Sequence, residues 1–139
     1  MYKLSTFLLS AVLGLLLGDS SLELDVSNRS KNARFYLQQS IIHIQFLLFV
    51  FTLLAPYCSS IPSPKVSHKD GKTQTHYGAE VRTRALPAFT QLYYAFYPNG
   101  VKILPVSLII YLDEDCLAYW IMSDASYGLK KEIRVGHMY

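Results

Sequence analysis

Two apolar segments of helical length, each ending close to an aspartate, constrain this chain more than any other feature. The first, AVLGLLLGDSSL at 11–22, carries Asp19, and the second, LAYWIMSDAS at 117–126, carries Asp124. An aspartate is unfavourable there, because the last turn of a helix has unpaired carbonyl groups and the negative end of the helix dipole. A nearby cation would offset that cost. Two such helix ends in one short chain predict a shared cation site.

Two glycines in the first segment indicate close packing against another helix. Apolar residues on every side of 6–18 predict a helix that is buried all round. Gly14 and Gly18 lie one turn apart, and each costs about 1 kcal/mol relative to alanine inside a helix. Close approach of a second helix would compensate, with Ala118 as the predicted small residue on that helix. Alternatively, Gly18 simply ends the first helix.

Between the two segments the sequence predicts strands in pairs, separated by helices. The predicted elements are strands at 20–26 and 33–39, a helix at 41–55, strands at 65–68 and 73–84, a helix at 88–96 and an apolar connector at 101–112. Asp113 can cap a last helix, and a short strand is predicted at 131–135. The strands alternate apolar and polar residues, which predicts one buried and one polar face. A polar face of this kind is also typical of any solvent-exposed sheet.

Composition favours a folded domain and leaves its partner open. The chain has 139 residues, of which 51% are hydrophobic and 17% charged, so disorder is not expected. A net charge of +3 permits binding to a polyanion but does not demand it. Cys58 and Cys116 form no paired motif, and the histidines show no metal-type spacing, so both cysteines are expected to be plain buried thiols.

The N-terminus also supports a competing hypothesis. Residues 1–18 contain a lysine, an apolar stretch and then small residues, as a secretory signal peptide does. The segment at 41–55 resembles a membrane span but is shorter than the roughly 20 residues that a span needs. A buried helix at 41–55 fits better, and no membrane partner is expected.

The motif at 12–20, VLGLLLGDS, and the motif at 117–125, LAYWIMSDA, resemble the two signature motifs of the LAGLIDADG homing endonucleases. Similar stretches between them are NARF at 32–35, APYCSS at 55–60, VRTRALP at 81–87, FT at 89–90 and FYPNG at 96–100. The resemblance covers 6–126. It implies an α+β fold of order α-β-β-α-β-β-α with a curved antiparallel sheet. Residues 1–112 would form the first repeat with its connector, and 113–139 the second motif helix of a truncated repeat.

The resemblance implies a site-specific double-strand DNA endonuclease that hydrolyses phosphodiesters with Mg²⁺ or another divalent cation. Asp19 and Asp124 match the acidic position of each motif and are expected to be catalytic metal ligands. Lys102 lies where the family has a basic residue, and is expected to polarise solvent or neutralise phosphate charge. The alternatives are that each aspartate merely ends a helix and that Lys102 is an ordinary solvated lysine.

The outward residues of the strands would form the DNA interface in such an enzyme. The expected contacts are Arg34, Tyr36, Gln38, Lys72, Gln74, His76, Arg82 and Arg84. A non-catalytic, maturase-like binder of intron RNA, or an inactive remnant, is the alternative function. Self-association through the motif helices is a further expectation. The resemblance to organellar intron-encoded members implies a mitochondrial location, or alternatively a chloroplast one.

The chain departs from the family pattern where glycine usually follows each acid. Ser20 follows Asp19, and Ala125 follows Asp124. Since glycine can leave a helix with positive φ, serine or alanine is expected to strain or shift that turn.

Overall fold

The protein has an α+β fold in which helices alternate along the chain with pairs of strands from one antiparallel sheet. The computed structural model describes residues 4–24, 31–68, 75–111 and 113–123. Its helices are α1 (Thr6–Leu17), α2 (Ile44–Leu54), α3 (Pro87–Phe96) and α4 (114–123), and its strands are β1 (Ser21–Leu24), β2 (Ala33–Ser40), β3 (Ser63–His68) and β4 (Thr75–Arg82). The predicted α+β class and element order are therefore confirmed over these residues. The strand predicted at 131–135 lies outside them.

The ends of α2 differ from the prediction, because a short 3₁₀ turn lies on each side of the α-helix. Residues Ile41–His43 form a 3₁₀ turn before α2, and Ala55–Tyr57 form another after it. Pro56 lacks the backbone N–H that an α-helix would need, so α2 ends at Leu54. The predicted connector contains a 3₁₀ helix at Val106–Tyr111.

The four strands form one sheet in the order β1-β2-β4-β3, with antiparallel pairing throughout. Two hairpins, β1–β2 and β3–β4, are thus joined through the central pair β2–β4. In that pair Tyr36 lies opposite Arg82 and Leu37 opposite Val81. Because directly paired residues project to the same side, the sheet has one apolar and one polar face, as predicted.

The described residues fall into two compact units, each with its own packing. The unit at Ser21–Tyr93 contains the sheet and α2. Its core includes the apolar sheet face, one stripe of α2 and two residues of α3, and the members are Leu22, Ala33, Phe35, Leu37, Ala79, Val81, Leu47, Val50, Leu54, Phe89 and Leu92. The Thr83 Oγ1 atom accepts a hydrogen bond from the Phe35 backbone N–H at 3.0 Å. Beyond the end of β4, Thr83 thus satisfies a buried backbone donor of β2.

The other unit combines α1 with the described residues of 94–123, including α4. All residues from Ser10 to Leu16 are buried, as the uniformly apolar sequence predicts. Asp113 caps α4, since its Oδ1 accepts a hydrogen bond from the Cys116 backbone N–H at 2.9 Å. Its Oδ2 accepts a second bond from the Ser10 hydroxyl at 2.9 Å. Both hydrogen bonds hold the pKa of Asp113 below its ordinary value, and the bond from Cys116 has the larger effect.

Neither a disulfide nor a membrane helix is found in the part of the chain that the structure describes. Cys58 and Cys116 are buried free thiols, as predicted, and burial raises the pKa of each. None of the helices within the described ranges has both the length and the hydropathy of a membrane span.

Candidate active site and nucleic-acid interface

Helices α1 and α4 approach each other closely at the two glycines of α1. A Cβ atom on Gly14 would overlap the backbone carbonyl oxygen of Cys116 and lie 2.8 Å from the Tyr119 Cβ. A Cβ atom on Gly18 would overlap the Ser123 hydroxyl. Only glycine leaves room for this contact. Gly18 also ends α1, since its N–H donates to the Leu15 carbonyl at 3.1 Å, so both interpretations of Gly18 hold.

The residues of α4 that meet the glycines are not those predicted from the sequence. Cys116, Tyr119 and Ser123 face α1 and are buried, whereas Ala118 is exposed. The prediction of Ala118 as a packing residue is therefore wrong. At about 100° per residue, Ala118 is turned some 200° from Cys116 and points away from α1. The small size of Ala118 did not determine which side of α4 faces α1.

The carboxylate-bearing turn after α1 is tied directly to the end of α4. The Asp19 backbone N–H donates to the Ser123 Oγ atom at 2.8 Å, and the Asp19 residue itself is exposed. Asp124 follows Ser123 in the sequence and lies outside the described residues. The bond uses the backbone N–H of Asp19 and does not involve its carboxylate.

Lys102 supplies a positive charge at the C-terminal end of α1. Its Nζ atom donates to the carbonyl oxygens of Ser20 at 2.6 Å and Gly18 at 3.4 Å. A cation is favourable there because it meets unpaired carbonyl groups and the negative end of the helix dipole. Desolvation lowers the pKa of Lys102, and the nearby Asp19 carboxylate opposes that shift. Lys102 and Asp19 thus belong to one cluster, and the lysine holds the backbone on both sides of the aspartate.

The donor atoms of this cluster suit a hard divalent cation. Ser20 has a buried hydroxyl that makes no hydrogen bond within the described part of the chain. The exposed Asp19 carboxylate and this hydroxyl are oxygen donors, the type that Mg²⁺ prefers. No cluster of three or more His, Cys, Asp or Glu side chains suited to a metal occurs among the described residues. A cation here would therefore depend on few carboxylates, supplemented by water or other oxygen atoms.

Serine in place of the expected glycine does not strain the turn. Lys31 is the one non-glycine residue with positive φ among the described residues, so Ser20 has ordinary backbone geometry. The Ser20 N–H donates to the Leu15 carbonyl at 3.1 Å, which fixes the exit from α1. The expectation of strain at Ser20 is therefore wrong, and Ala125 lies outside the described residues.

Replacing Lys102 with methionine is expected to lower the free energy of unfolding by about 0.3–1 kcal/mol. Methionine keeps most of the side-chain length but leaves the Gly18 and Ser20 carbonyls without their charged donor. Urea denaturation followed by circular dichroism measures the change. Lys102→Arg is the control, because it retains a cation and should lose less. Equal stability of the methionine variant and the wild type would contradict this role.

The polar face of the sheet carries most of the predicted DNA contacts that the structure describes. On it lie Arg34, Tyr36, Gln38, His76 and Arg82, which the three strand pairings of the sheet place on the same side. Arg84 is exposed just beyond β4, where its backbone N–H donates to the Tyr57 carbonyl at 2.7 Å. Lys72 and Gln74 lie outside the described residues.

Charged side chains on this face form a connected network. Glu80 accepts hydrogen bonds from the Tyr36 hydroxyl at 2.8 Å and from Arg82 Nη1 at 2.8 Å, and Lys65 lies 3.6 Å from the same carboxylate. Arg82 Nε donates to Glu23 at 3.1 Å. Sequence reasoning missed Lys65 as a member of this face, since the β3–β4 register that places Lys65 beside Gly78 was not predictable.

The pKa of the Tyr36 hydroxyl depends on its contact with Glu80 in this network. Burial and the hydrogen bond to Glu80 raise the pKa of Tyr36 to about 12. Glu80→Gln is expected to lower that pKa, because it removes the negative charge that opposes tyrosinate, while burial still keeps the pKa above its ordinary value. Titration of ¹³Cζ-tyrosine resonances by NMR measures it, with Tyr36→Phe for assignment. An unchanged pKa in Glu80→Gln would refute the contact.

Known proteins share both this fold and this sequence pattern. The fold is similar to that of a solved chain described as the homing endonuclease I-WcaI bound to its DNA recognition sequence, with a TM-score of 0.78 and 23% identity over 89% of this chain and 53% of that one. The sequence is 32% identical over 122 residues to a cytochrome b mRNA maturase bI2 of Debaryomyces hansenii, covering 84% of this chain and 45% of the relative. The corresponding maturase of Saccharomyces cerevisiae is 31% identical over 127 residues, covering 84% of this chain and 29% of the relative.

The chain therefore spans about half the length, or less, of the proteins it matches. The sequence profile of the LAGLIDADG DNA endonuclease family matches residues 9–137, which includes nearly the whole chain. That match extends over both apolar motifs, the sheet and the connector that carries Lys102. The chain belongs to the LAGLIDADG DNA endonuclease family.

Proposed function

We propose that this chain acts in site-specific cleavage of double-stranded DNA by divalent-metal-dependent phosphodiester hydrolysis. The observation that carries the proposal is the packing of α1 against α4 through Gly14 and Gly18. It joins the Asp19 backbone to Ser123, the residue before Asp124. The match to a DNA endonuclease family, and the contact of the Asp19 turn with the residue before Asp124, together favour a metal-assisted reaction here.

Each residue of the proposed centre has a distinct part in the chemistry. Asp19 and Asp124 would hold Mg²⁺ or a similar cation through carboxylate oxygens. A divalent cation, when bound, supplies charge stabilisation for the phosphate and acidifies a water molecule. Lys102 would keep the Asp19 turn fixed through the Gly18 and Ser20 carbonyls, and its charge would offset part of the negative charge of the phosphate. The buried Ser20 hydroxyl at the same turn makes no hydrogen bond within the described residues.

The polar sheet face is the proposed DNA interface. Arg34, Gln38, His76 and Arg82 present donors on one surface, and arginine or glutamine can form paired hydrogen bonds with purine edges. The solved relative is described as bound to its DNA recognition sequence, which supports this use of a shared fold. Lys72, Gln74 and Arg84 are proposed to extend the contact along the duplex.

A second candidate function is binding of intron RNA without catalysis. The two relatives described as cytochrome b mRNA maturases favour it. In that case the same polar face would bind RNA, and the two aspartates would have no effect on affinity. Those relatives also support a mitochondrial, intron-encoded origin. Self-association through the exposed side of α4, where Leu117 and Ile121 are uncovered, stays a proposal.

A selection from randomised nucleic acids tests the two functions against each other. The 139-residue chain is incubated with a pool of random duplex DNA and, separately, with cytochrome b intron RNA. We expect a subset of duplexes to be cut in Mg²⁺ and none in EDTA. Binding to RNA with no cut duplex in either buffer would favour the second function. Failure to bind either nucleic acid would contradict both.

A further inference from the structure

We infer that Glu23 and Glu80 are specificity-determining residues that hold Arg82 for contact with a base edge and weaken its attraction to the phosphate backbone. The inference rests on the proposed binding of duplex DNA. It adds a role for two acidic residues on a surface that would otherwise be expected to be uniformly basic. Three independent contacts of Arg82 support it.

The guanidinium group of Arg82 contacts two carboxylates and the face of one aromatic ring. Its Nε atom donates to Glu23 at 3.1 Å and its Nη1 atom to Glu80 at 2.8 Å. Its guanidinium carbon lies 4.6 Å from the centroid of the Tyr36 ring. Tyr36 is itself fixed by the hydrogen bond from its hydroxyl to Glu80 at 2.8 Å. The guanidinium plane therefore has a defined position and orientation before any ligand binds.

The held guanidinium can still form a paired contact with a base. A guanidinium has five N–H donors, and the described contacts of Arg82 involve Nε and Nη1 once each. The remaining donors make no hydrogen bond within the described part of the chain. Two N–H groups are enough for the paired hydrogen bonds that arginine makes with guanine O6 and N7. A fixed side chain also loses less conformational freedom on binding than a mobile one.

The local charge explains why the same side chain binds phosphate weakly. The carboxylates of Glu23 and Glu80 balance the positive charges of Arg82 and Lys65. Sequence-independent affinity depends on the number of phosphate charges neutralised and on the counterions released. A balanced cluster adds little to that term. The cluster contributes to binding only where a base presents hydrogen-bond acceptors to Arg82. Its contribution therefore depends on the DNA sequence.

The test removes each carboxylate with little change in shape. Glu23→Gln and Glu80→Gln are compared with Glu114→Gln, which makes the same change in net charge on an exposed residue of α4. Binding to a labelled random-sequence duplex is measured by fluorescence anisotropy at several salt concentrations. We expect each network variant to bind the random duplex roughly threefold to tenfold more tightly than wild type, with a salt slope steeper by about 1. Glu114→Gln should change affinity less than about twofold.

A double-mutant cycle shows whether the carboxylates act through Arg82 or only through the net charge of the surface. In an Arg82→Ala background, Glu23→Gln should no longer raise affinity for the random duplex, because the cation that Glu23 contacts is then absent. After selection from a randomised duplex pool, wild type should enrich a guanine at a position that Glu80→Gln no longer enriches. Network variants that behave like Glu114→Gln, or a Glu23→Gln effect that persists without Arg82, would overturn the inference and leave the proposed function intact. No duplex binding by wild type would overturn both.

Discussion

Replacing Gly14 with alanine is expected to lower the free energy of unfolding by about 1–3 kcal/mol. The added methyl group would overlap the Cys116 carbonyl and crowd the Tyr119 Cβ and the Trp120 backbone. These are mostly backbone atoms, which cannot move without shifting α4. The loss should exceed the gain of about 1 kcal/mol from the higher helix propensity of alanine. Chemical denaturation monitored by circular dichroism measures the difference.

The matched control enlarges a small residue at an exposed position on the partner helix. Ala118→Leu on α4 should change the free energy of unfolding by no more than about 0.5 kcal/mol, because Ala118 is exposed. A destabilisation as large as that of Gly14→Ala would contradict the orientation of α4. If Gly14→Ala stabilised the protein, the close contact between the helices would be refuted.

Asp19→Asn is expected to reduce DNA cleavage by roughly 10³-fold or more, because a carboxylate that holds the cation is worth several kcal/mol in the transition state. The substitution keeps the side-chain shape. It also retains the hydrogen bond to Ser123, which uses the Asp19 backbone. Affinity for the selected duplex should stay within about threefold in the presence of Ca²⁺. Single-turnover cleavage of that duplex and anisotropy binding measure the two effects.

Asp124→Asn should give the same pattern if both aspartates hold the cation. Glu114→Gln on α4 is the control for loss of an exposed carboxylate, and it should cleave at the wild-type rate. Wild-type cleavage by both aspartate variants would exclude the proposed centre. Loss of duplex binding by Asp19→Asn would instead assign the aspartate to the DNA interface.

Periodicity was sufficient to predict the order of the elements and the buried and polar faces of the strands. The alternation at Phe35 and Leu37 fixed the buried side of β2, and the uniform apolar character of α1 predicted its burial. The capping role of Asp113 also followed from local sequence, because an N-cap depends on residues only three positions away. Such features require no knowledge of long-range contacts.

Contacts between distant segments were not accessible in the same way. The rotational phase of α4 decides that Cys116 and Ser123, and not Ala118, meet the glycines, and an apolar run on every side does not specify it. The Lys102 contacts with Gly18 and Ser20 carbonyls involve backbone atoms more than eighty positions away. The family resemblance therefore pointed to Lys102 but not to the turn whose carbonyl groups it contacts.

A Mn²⁺ titration followed by NMR tests whether a divalent cation binds where α1 and α4 meet at Asp19 and Ser123. Paramagnetic Mn²⁺ broadens the amide resonances of residues near its binding site. We predict selective broadening of Asp19, Ser20 and Ser123 in the wild type, and its loss in Asp19→Asn with the Glu114→Gln control unaffected. Broadening centred elsewhere, or unchanged by Asp19→Asn, would contradict the account.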